Sequence, residues 1–282
     1  MSNNASPPLP AHQTKHLPAL DYRFRHSLFH LAQLDNGNTN GTALWMGAQV
    51  LSAWLSRLLD KPRARQTVPS RRPRVLELGS GIGLSALALS SLGYDVLATD
   101  LPDVIDSVLA ANIANNVSDL PSESGTIELR ALDWTTPPSD WTWIDNAIIA
   151  STSRPTAPFT ASQPCSLAPP FDLIVTADTV YSPHLVEPLL RTLQHLYTLS
   201  VTLADSEKAI KPTLYICVER RDPALVDDFL GKARKIFTVT RVPQRKVVEA
   251  MEKGGLLWAK EEWDGMEIWT FTQIRKATGK NV

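Results

Sequence analysis

The residues with the clearest chemical potential sit close together. Glu77-Leu-Gly79-Ser80-Gly81-Ile-Gly83 places an acid beside three glycines, and Asp100 follows 21 positions after Gly79. Glycines at such a spacing let a backbone turn tightly and approach a ligand with no Cβ in the way. An acid about 20 residues beyond the turn is where dinucleotide folds hold a ribose hydroxyl. Further along stand Asp133-Trp134 and then Asp178-Thr-Val-Tyr181, a D-x-x-Y spacing. These types together suit a nucleoside site with an acid and an aromatic ring left over for a second substrate.

The elements that would position them are legible. Arg74 to Leu78 reads as a strand, the glycines as a turn, and Leu84 to Leu92 as a helix of small residues. Asp95 to Thr99 is a second strand, Asp103 to Asn116 a second helix, and Thr126 to Leu132 a third strand. Phe171 to Ala177 resumes as a buried strand, followed by a helix over 185–199, a strand over 214–218 and a helix over 224–236. The β-α-β-α-β rhythm implies a parallel sheet with right-handed crossovers. Phe237 to Val242 and Gly265 to Ile274 read as a terminal hairpin. The expected fold is α/β: a doubly wound, mostly parallel seven-stranded sheet with helices on both faces and an antiparallel C-terminal strand. Residues 1–20, rich in Pro, Ser and Asn, read as a loose tail before a single domain over 21–282. Residues 135–170 break the rhythm and read as a surface insertion.

In open α/β sheets the ligand lies beyond the carboxyl ends of the strands. Gly79, Asp100, Trp134 and Asp178 each follow one of the first four sheet strands, so they converge on one rim. Taken singly each has a bland reading: a structural turn, a core or surface tryptophan, a helix-capping acid. The convergence favours a site. The glycine spacing then narrows the ligand. G-x-G-x-x-G would need its third glycine at 84, where the chain has Leu84. A pyrophosphate also prefers a free helix N-terminus. S-adenosylmethionine carries no phosphate and tolerates E-x-G-x-G-x-G.

Residues 43–220 resemble the seven-β-strand protein-lysine methyltransferases, methyltransferase family 16, which includes fungal elongation-factor methyltransferases. The matching stretches are Leu44-Trp45-Met-Gly47-Ala48, Val75 to Leu84, Ala98-Thr-Asp100, Asn112-Ile-Ala-Asn-Asn116, Leu132-Asp133-Trp134 and Ala177-Asp178-Thr-Val-Tyr181. The resemblance implies a Rossmann-like methyltransferase fold with S-adenosylmethionine held among Trp45, Glu77, Gly79, Ser80, Gly81, Gly83, Asp100, Asp133, Trp134 and Ala177. It implies that Asp100 binds the ribose hydroxyls and that Asp133 and Trp134 lie by the adenine. Asp178 and Tyr181 are implied to face the substrate amine as the catalytic pair. The implied partner is a protein, with translation factors among the candidates.

Rival chemistries leave other marks. Base and glutamine methyltransferases usually carry (Asp/Asn)-Pro-Pro-Tyr after the fourth strand, whereas Asp178-Thr-Val-Tyr181 lacks the prolines. Arginine methyltransferases want paired glutamates there, and none stands between Asp178 and Leu185. A small-molecule amine, RNA, or a cofactor-binding scaffold without activity are the alternatives kept open. Six basic residues between Lys61 and Arg74 read as a solvated loop rather than an RNA contact. A net charge of -1 gives no general attraction to nucleic acid or membrane. Cys165 and Cys217 form no C-x-x-C pair, so no metal site is expected. With no signal-peptide pattern and no apolar run long enough to span a bilayer, the expectation is a cytoplasmic or nuclear monomer with no membrane partner.

Overall fold

A computed structural model describes residues 7–34, 40–59, 71–156, 167–204 and 211–274. A hairpin comes first, β1 (Ala19–Phe24) with β2 (Ser27–Ala32), preceded by a single helical turn α1 (Ala11–Thr14). α2 (Met46–Leu59) then leads into the sheet. Its strands are β3 (Arg74–Leu78), β4 (Asp95–Asp100), β5 (Ile127–Leu132), β6 (Ile148–Ala150), β7 (Leu173–Ala177), β8 (Thr213–Glu219), β9 (Phe237–Arg241) and β10 (Met266–Gln273). Their spatial order is β6-β5-β4-β3-β7-β8-β10-β9. Six strands run parallel, while β10 is antiparallel to β8 and β9 to β10. The chain moves outward from β3 to β6 and restarts at β7 on the other side of β3. That reversal opens a crevice at the carboxyl ends of β3 and β7.

Each face of the sheet carries its own apolar cluster. One joins α2, α3 (Leu84–Ser91), the helical run 102–116, α6 (Gln244–Lys253) and the β1–β2 hairpin. The other joins α4 (Pro183–Thr202) and α5 (Pro223–Ala233). The parallel strands are buried on both sides, which is why β7 reads as a nearly continuous apolar run and not an alternation. The doubly wound architecture with an antiparallel end is as expected. The sheet has eight strands, however, and not seven.

The extra strand comes from the segment read as a surface insertion. Ile148–Ala150 pairs parallel with β5, Ala131 against Ile148, and Ala131 N donates to Ala147 O at 2.8 Å. Ala147, Ile149, Ala150 and Leu167 are buried, and Trp141 and Trp143 pack edge-on beneath them. Three residues are too few for a periodicity to show, and β5 supplies the partner that makes the strand. The reading of residues 1–20 as loose also needs correction from Pro7 onward. Two buried glutamines hold this segment. Ala11 N donates to Gln49 Oε1 at 2.8 Å, Gln49 Nε2 donates to Leu9 O at 2.8 Å, and Gln33 Nε2 donates to Thr14 O and Leu17 O, both at 3.0 Å. Trp258 Nε1 adds a bond to Pro8 O at 2.8 Å. The backbone groups of a Pro-rich stretch have no regular ladder, so distant side chains satisfy them. Residues 60–70, which hold much of the basic stretch, and Cys165 lie outside the described residues.

Asn112 and Asn116 explain the spacing of their motif. They sit one helical turn apart and pair their amides with the edge of β2. Asn112 Oδ1 accepts from Ala32 N at 2.8 Å, and Asn116 Oδ1 accepts from His30 N at 2.8 Å. Asn112 Nδ2 donates on to Ile82 O at 2.9 Å, which fixes the glycine turn from behind. Both asparagines are buried and fully used, as buried amides must be.

Candidate active site

The crevice at the switch point holds a cavity of about 410 Å³, lined among others by Trp45, Gly79, Gly81, Asp100, Trp134, Ala177, Asp178 and Tyr181. These eight were expected at the site from sequence, and they meet on the rim that the strand ends define. The other four expected residues lie around it. Glu77 is 2% exposed, below the turn. Ser80 is buried, its N–H donating to Thr99 O at 3.0 Å. Gly83 closes the turn with its N–H on Ser80 O at 2.9 Å. Asp133 uses its carboxylate on Thr135, whose N and Oγ1 donate to Oδ1 at 2.8 and 2.7 Å. None of the four lines the cavity.

The glycine turn spends its donors inside the protein. Gly79 N and Ser80 N both donate to Thr99 O, and Gly81 N donates to Asp100 Oδ2 at 2.8 Å. A pyrophosphate would need those N–H groups free, so the turn suits a ligand without phosphate. What it offers is close approach. A Cβ on Gly79 would stand 2.8 Å from Thr179 Cγ2 and 3.4 Å from the Trp134 ring, at a φ of +69°. Asp100 takes Gly81 N and Leu101 N on its two oxygens, 2.8 Å each. A carboxylate has about four lone-pair sites, so two remain for the hydroxyls of a ribose. Burial pushes its carboxyl up to about 6, against the pull of those two N–H bonds. Glu77 is pushed higher, to about 8, by burial first, with Ser80 and Ser85 drawing it back and the charge of Asp100 adding to the rise. Its Oε2 has no hydrogen-bond partner among the described residues. The free lone pairs on Asp100, a turn whose Gly79, Ser80 and Gly81 N–H groups are already spent, and the Trp134 ring fit S-adenosylmethionine.

Asp178 is held in an uncommon way. Its φ is +54°, in the left-handed region that Asp tolerates better than most side chains. Its N–H donates to Cys217 O at 2.9 Å, and its Oδ2 accepts from Gly47 N at 2.6 Å. Gly47 lies in the first turn of α2, where backbone N–H groups lack intrahelical partners and the helix dipole favours an anion. Asp178 therefore caps a helix 131 positions away in sequence. The approach is possible because position 47 has no side chain: a Cβ there would stand 2.5 Å from Oδ2. Burial pushes Asp178 up to about 6; the Gly47 N–H and the Arg221 charge oppose that, and the Glu219 charge adds to it. Tyr181 is 49% exposed at the mouth, its hydroxyl raised by partial burial and by the Asp100 charge.

Glu219 and Arg221 also line the cavity and were not anticipated. They form an ion pair at the end of β8, and the Arg221 guanidinium carbon lies 4.5 Å from the centroid of the Trp45 ring. The available signal was position: an acid and two arginines directly after a central parallel strand, on the rim where ligands bind.

Residues 29–151 match the family model described as lysine methyltransferase. The resemblance stated from the motifs is borne out over that span. The matched segment contains the glycine turn, Asp100 and Trp134, and ends before Asp178. Curated relatives match over longer stretches. The protein-lysine N-methyltransferase rrg1 of Schizosaccharomyces pombe is 30% identical over 151 residues, 53% of this chain and 40% of its own. The protein-lysine methyltransferase METTL21E of Mus musculus is 28% identical over 182 residues, 61% of this chain and 58% of its own. The chain spans about half the length of the curated relatives it matches. Among solved structures, a TehB-like SAM-dependent methyltransferase from Corynebacterium glutamicum is 20% identical, with a TM-score of 0.42, covering 78% of this chain and 88% of its own. Among the described residues no helix is long and apolar enough to cross a membrane, and no cluster of side chains could hold a metal.

Proposed function

We infer that the protein is an S-adenosylmethionine-dependent methyltransferase that acts on the lysine side-chain amine of a protein. One observation carries the reading: the Asp178 carboxylate, capped on Gly47 N–H, shares a single cavity with the glycine turn, Asp100 and Trp134. The family match over residues 29–151 and the two lysine methyltransferases above support the class of acceptor.

When bound, S-adenosylmethionine supplies a methyl group on a sulfonium, a leaving group already activated by charge. The protein's task is then alignment, and alignment can account for most of the acceleration. Asp100 would accept the ribose hydroxyls on its remaining lone pairs. Trp134 would supply a flat apolar wall, and the absence of a side chain at Gly79 lets that ring and Thr179 pack close to the turn. Asp178, ionised at neutral pH, orients the incoming amine by a charge-assisted hydrogen bond. It is not the base, because an anion beside an ammonium favours the charged form; the proton leaves to water at the open mouth, where Tyr181 stands. The Tyr181 ring face suits a methylated ammonium.

The test is label transfer from tritiated S-adenosylmethionine into cytosolic and nuclear extracts lacking the endogenous enzyme, with translation factors as the first purified substrates. A labelled protein band is expected, and Asp178→Ala should lower it by at least about 10²-fold with cofactor affinity nearly intact. Label confined to RNA or to small metabolites would replace this reading with a rival.

A further inference from the structure

The cavity carries more acid than base. Asp100, Asp178, Glu219 and Asp222 line it, and Arg221 is the single cation among the described lining residues. Asp222 caps α5, its Oδ1 accepting from Leu225 N at 3.1 Å, and Asp100 stands at the glycine turn. Arg221 faces the other two acids, and three contacts hold it there. Its N–H donates to Glu219 O at 2.9 Å, which turns the chain sharply at the end of β8. Its Nη2 pairs with the Glu219 carboxylate, and its guanidinium lies over the Trp45 ring. Trp45 lines the cavity just before α2, two positions ahead of the glycine whose N–H binds Asp178. The start of one helix thus seats both charges, Arg221 on Trp45 and Asp178 on Gly47. Lys15 Nζ also rests on the Trp45 ring, 3.3 Å from its centroid, but is not among the lining residues.

We propose that Arg221 is a positioning residue for methyl transfer, the counter-charge that keeps Asp178 ionised and the acceptor amine free of its proton. This rests on the methyltransferase reading above and deepens it at the same site. A lysine arrives as an ammonium and must lose a proton before its lone pair can attack. Asp178 alone works against that loss, since an anion beside an amine favours the charged form. A cation close by has the opposite effect on the amine, and it holds the carboxylate in its charged form as well. One guanidinium therefore serves both partners of the orienting hydrogen bond. The groups facing Asp178 set the balance. From the end of β8 come the Arg221 charge, which lowers its carboxyl, and the Glu219 charge, which raises it. Cys217 stays a thiol, raised by burial and then by the charges of Asp178 and Glu219. From α2 comes the Gly47 N–H, and at the mouth stands the Tyr181 hydroxyl, itself raised by burial and by Asp100. Without Arg221, Glu219 would be a second anion against Asp178, so the ion pair removes a repulsion as well as adding an attraction.

The experiment compares the full chain with its Arg221→Gln and Arg221→Lys variants. Proteins of an extract lacking the endogenous enzyme are the acceptors. Initial rates of tritium transfer at subsaturating extract are read from about pH 5 to about pH 10, which spans the carboxylate and amine ranges. In Arg221→Gln both limbs of the profile are expected to move to higher pH, each by about 0.5–1 unit for a half-exposed charge. Arg221→Lys keeps the charge and should restore both limbs. Limbs that stay in place in Arg221→Gln would overturn the inference whatever the rate does, because lost packing lowers the rate at every pH alike. Limbs still displaced in Arg221→Lys would overturn it too, since they would follow the shape of the guanidinium and not its charge. A second reading needs no acceptor: carboxyl carbon-13 resonances, with Asp178 assigned by Asp178→Asn, follow its titration directly. Its midpoint should rise in Arg221→Gln and return in Arg221→Lys. An unmoved midpoint would overturn the inference and leave the methyltransferase reading standing. A midpoint that moves as expected in a protein that labels nothing at any pH would remove the methyltransferase reading, and with it the role at the amine.

Discussion

Gly47→Ala tests the anchoring of Asp178 without touching any group that carries chemistry. In an ordinary helix the change would help, since alanine is favoured over glycine by about 1 kcal/mol. Here the new Cβ would meet Oδ2, Cγ and Oδ1 of Asp178 at 2.5, 2.7 and 2.8 Å. Asp178 cannot simply swing away, because its backbone is fixed at a φ of +54° and its N–H is committed to Cys217 O. Crowding of this kind costs about 1–3 kcal/mol. Losing the bond from Gly47 N to a buried carboxylate costs about 1.5–3 kcal/mol. The helix gain offsets only part, leaving a net destabilisation of about 1.5–5 kcal/mol by these ranges. Turnover should fall by about 10²-fold, the scale expected when an orienting group moves by an ångström. Cofactor affinity should change little, since Asp100 and the glycine turn are held by other contacts. Chemical denaturation, label transfer and calorimetry on the same preparation measure the three quantities. A Gly47→Ala protein more stable by about 1 kcal/mol with unimpaired turnover would refute the capping contact and the role built on it.

Two other outcomes follow from burial. Asp100 and Asp178 are both raised to about 6 from the ordinary aspartate value of 3.8, so the folded protein binds their protons more tightly than the unfolded chain. Their contribution to stability is then fully present below pH 3.8 and is lost as pH rises through about 6, whereas turnover needs both ionised. Initial rates should show an acid limb near pH 6, and a flat profile down to pH 5 in folded protein would contradict the assigned roles. Ile149 is 0% exposed on the edge strand β6, and Ile149→Ala should cost about 2–5 kcal/mol in denaturant titrations; a loss below about 1 kcal/mol would mean that the strand is no part of the core.

The sequence by itself determined the parallel sheet, the glycine turn and the acid at the end of the next strand. These are local: strands buried on both faces read as apolar runs, and the turn residues lie within seven positions. The convergence of Asp100, Trp134 and Asp178 was also legible, because any doubly wound sheet gathers its strand ends on one rim. Tertiary structure alone decided the rest. Gly47 looks like an ordinary helical glycine until Asp178 arrives from 131 positions away. Gln33 and Gln49 carry no pattern marking them as the clamps of the N-terminal segment, and β6 is too short to announce itself. Lys15 reaches Trp45 only after the Pro-rich segment has been tied down. Each is a contact between segments distant in sequence, and no periodicity or spacing encodes such a pairing. It exists because a buried N–H, carbonyl or charge must find a partner wherever the packed chain supplies one.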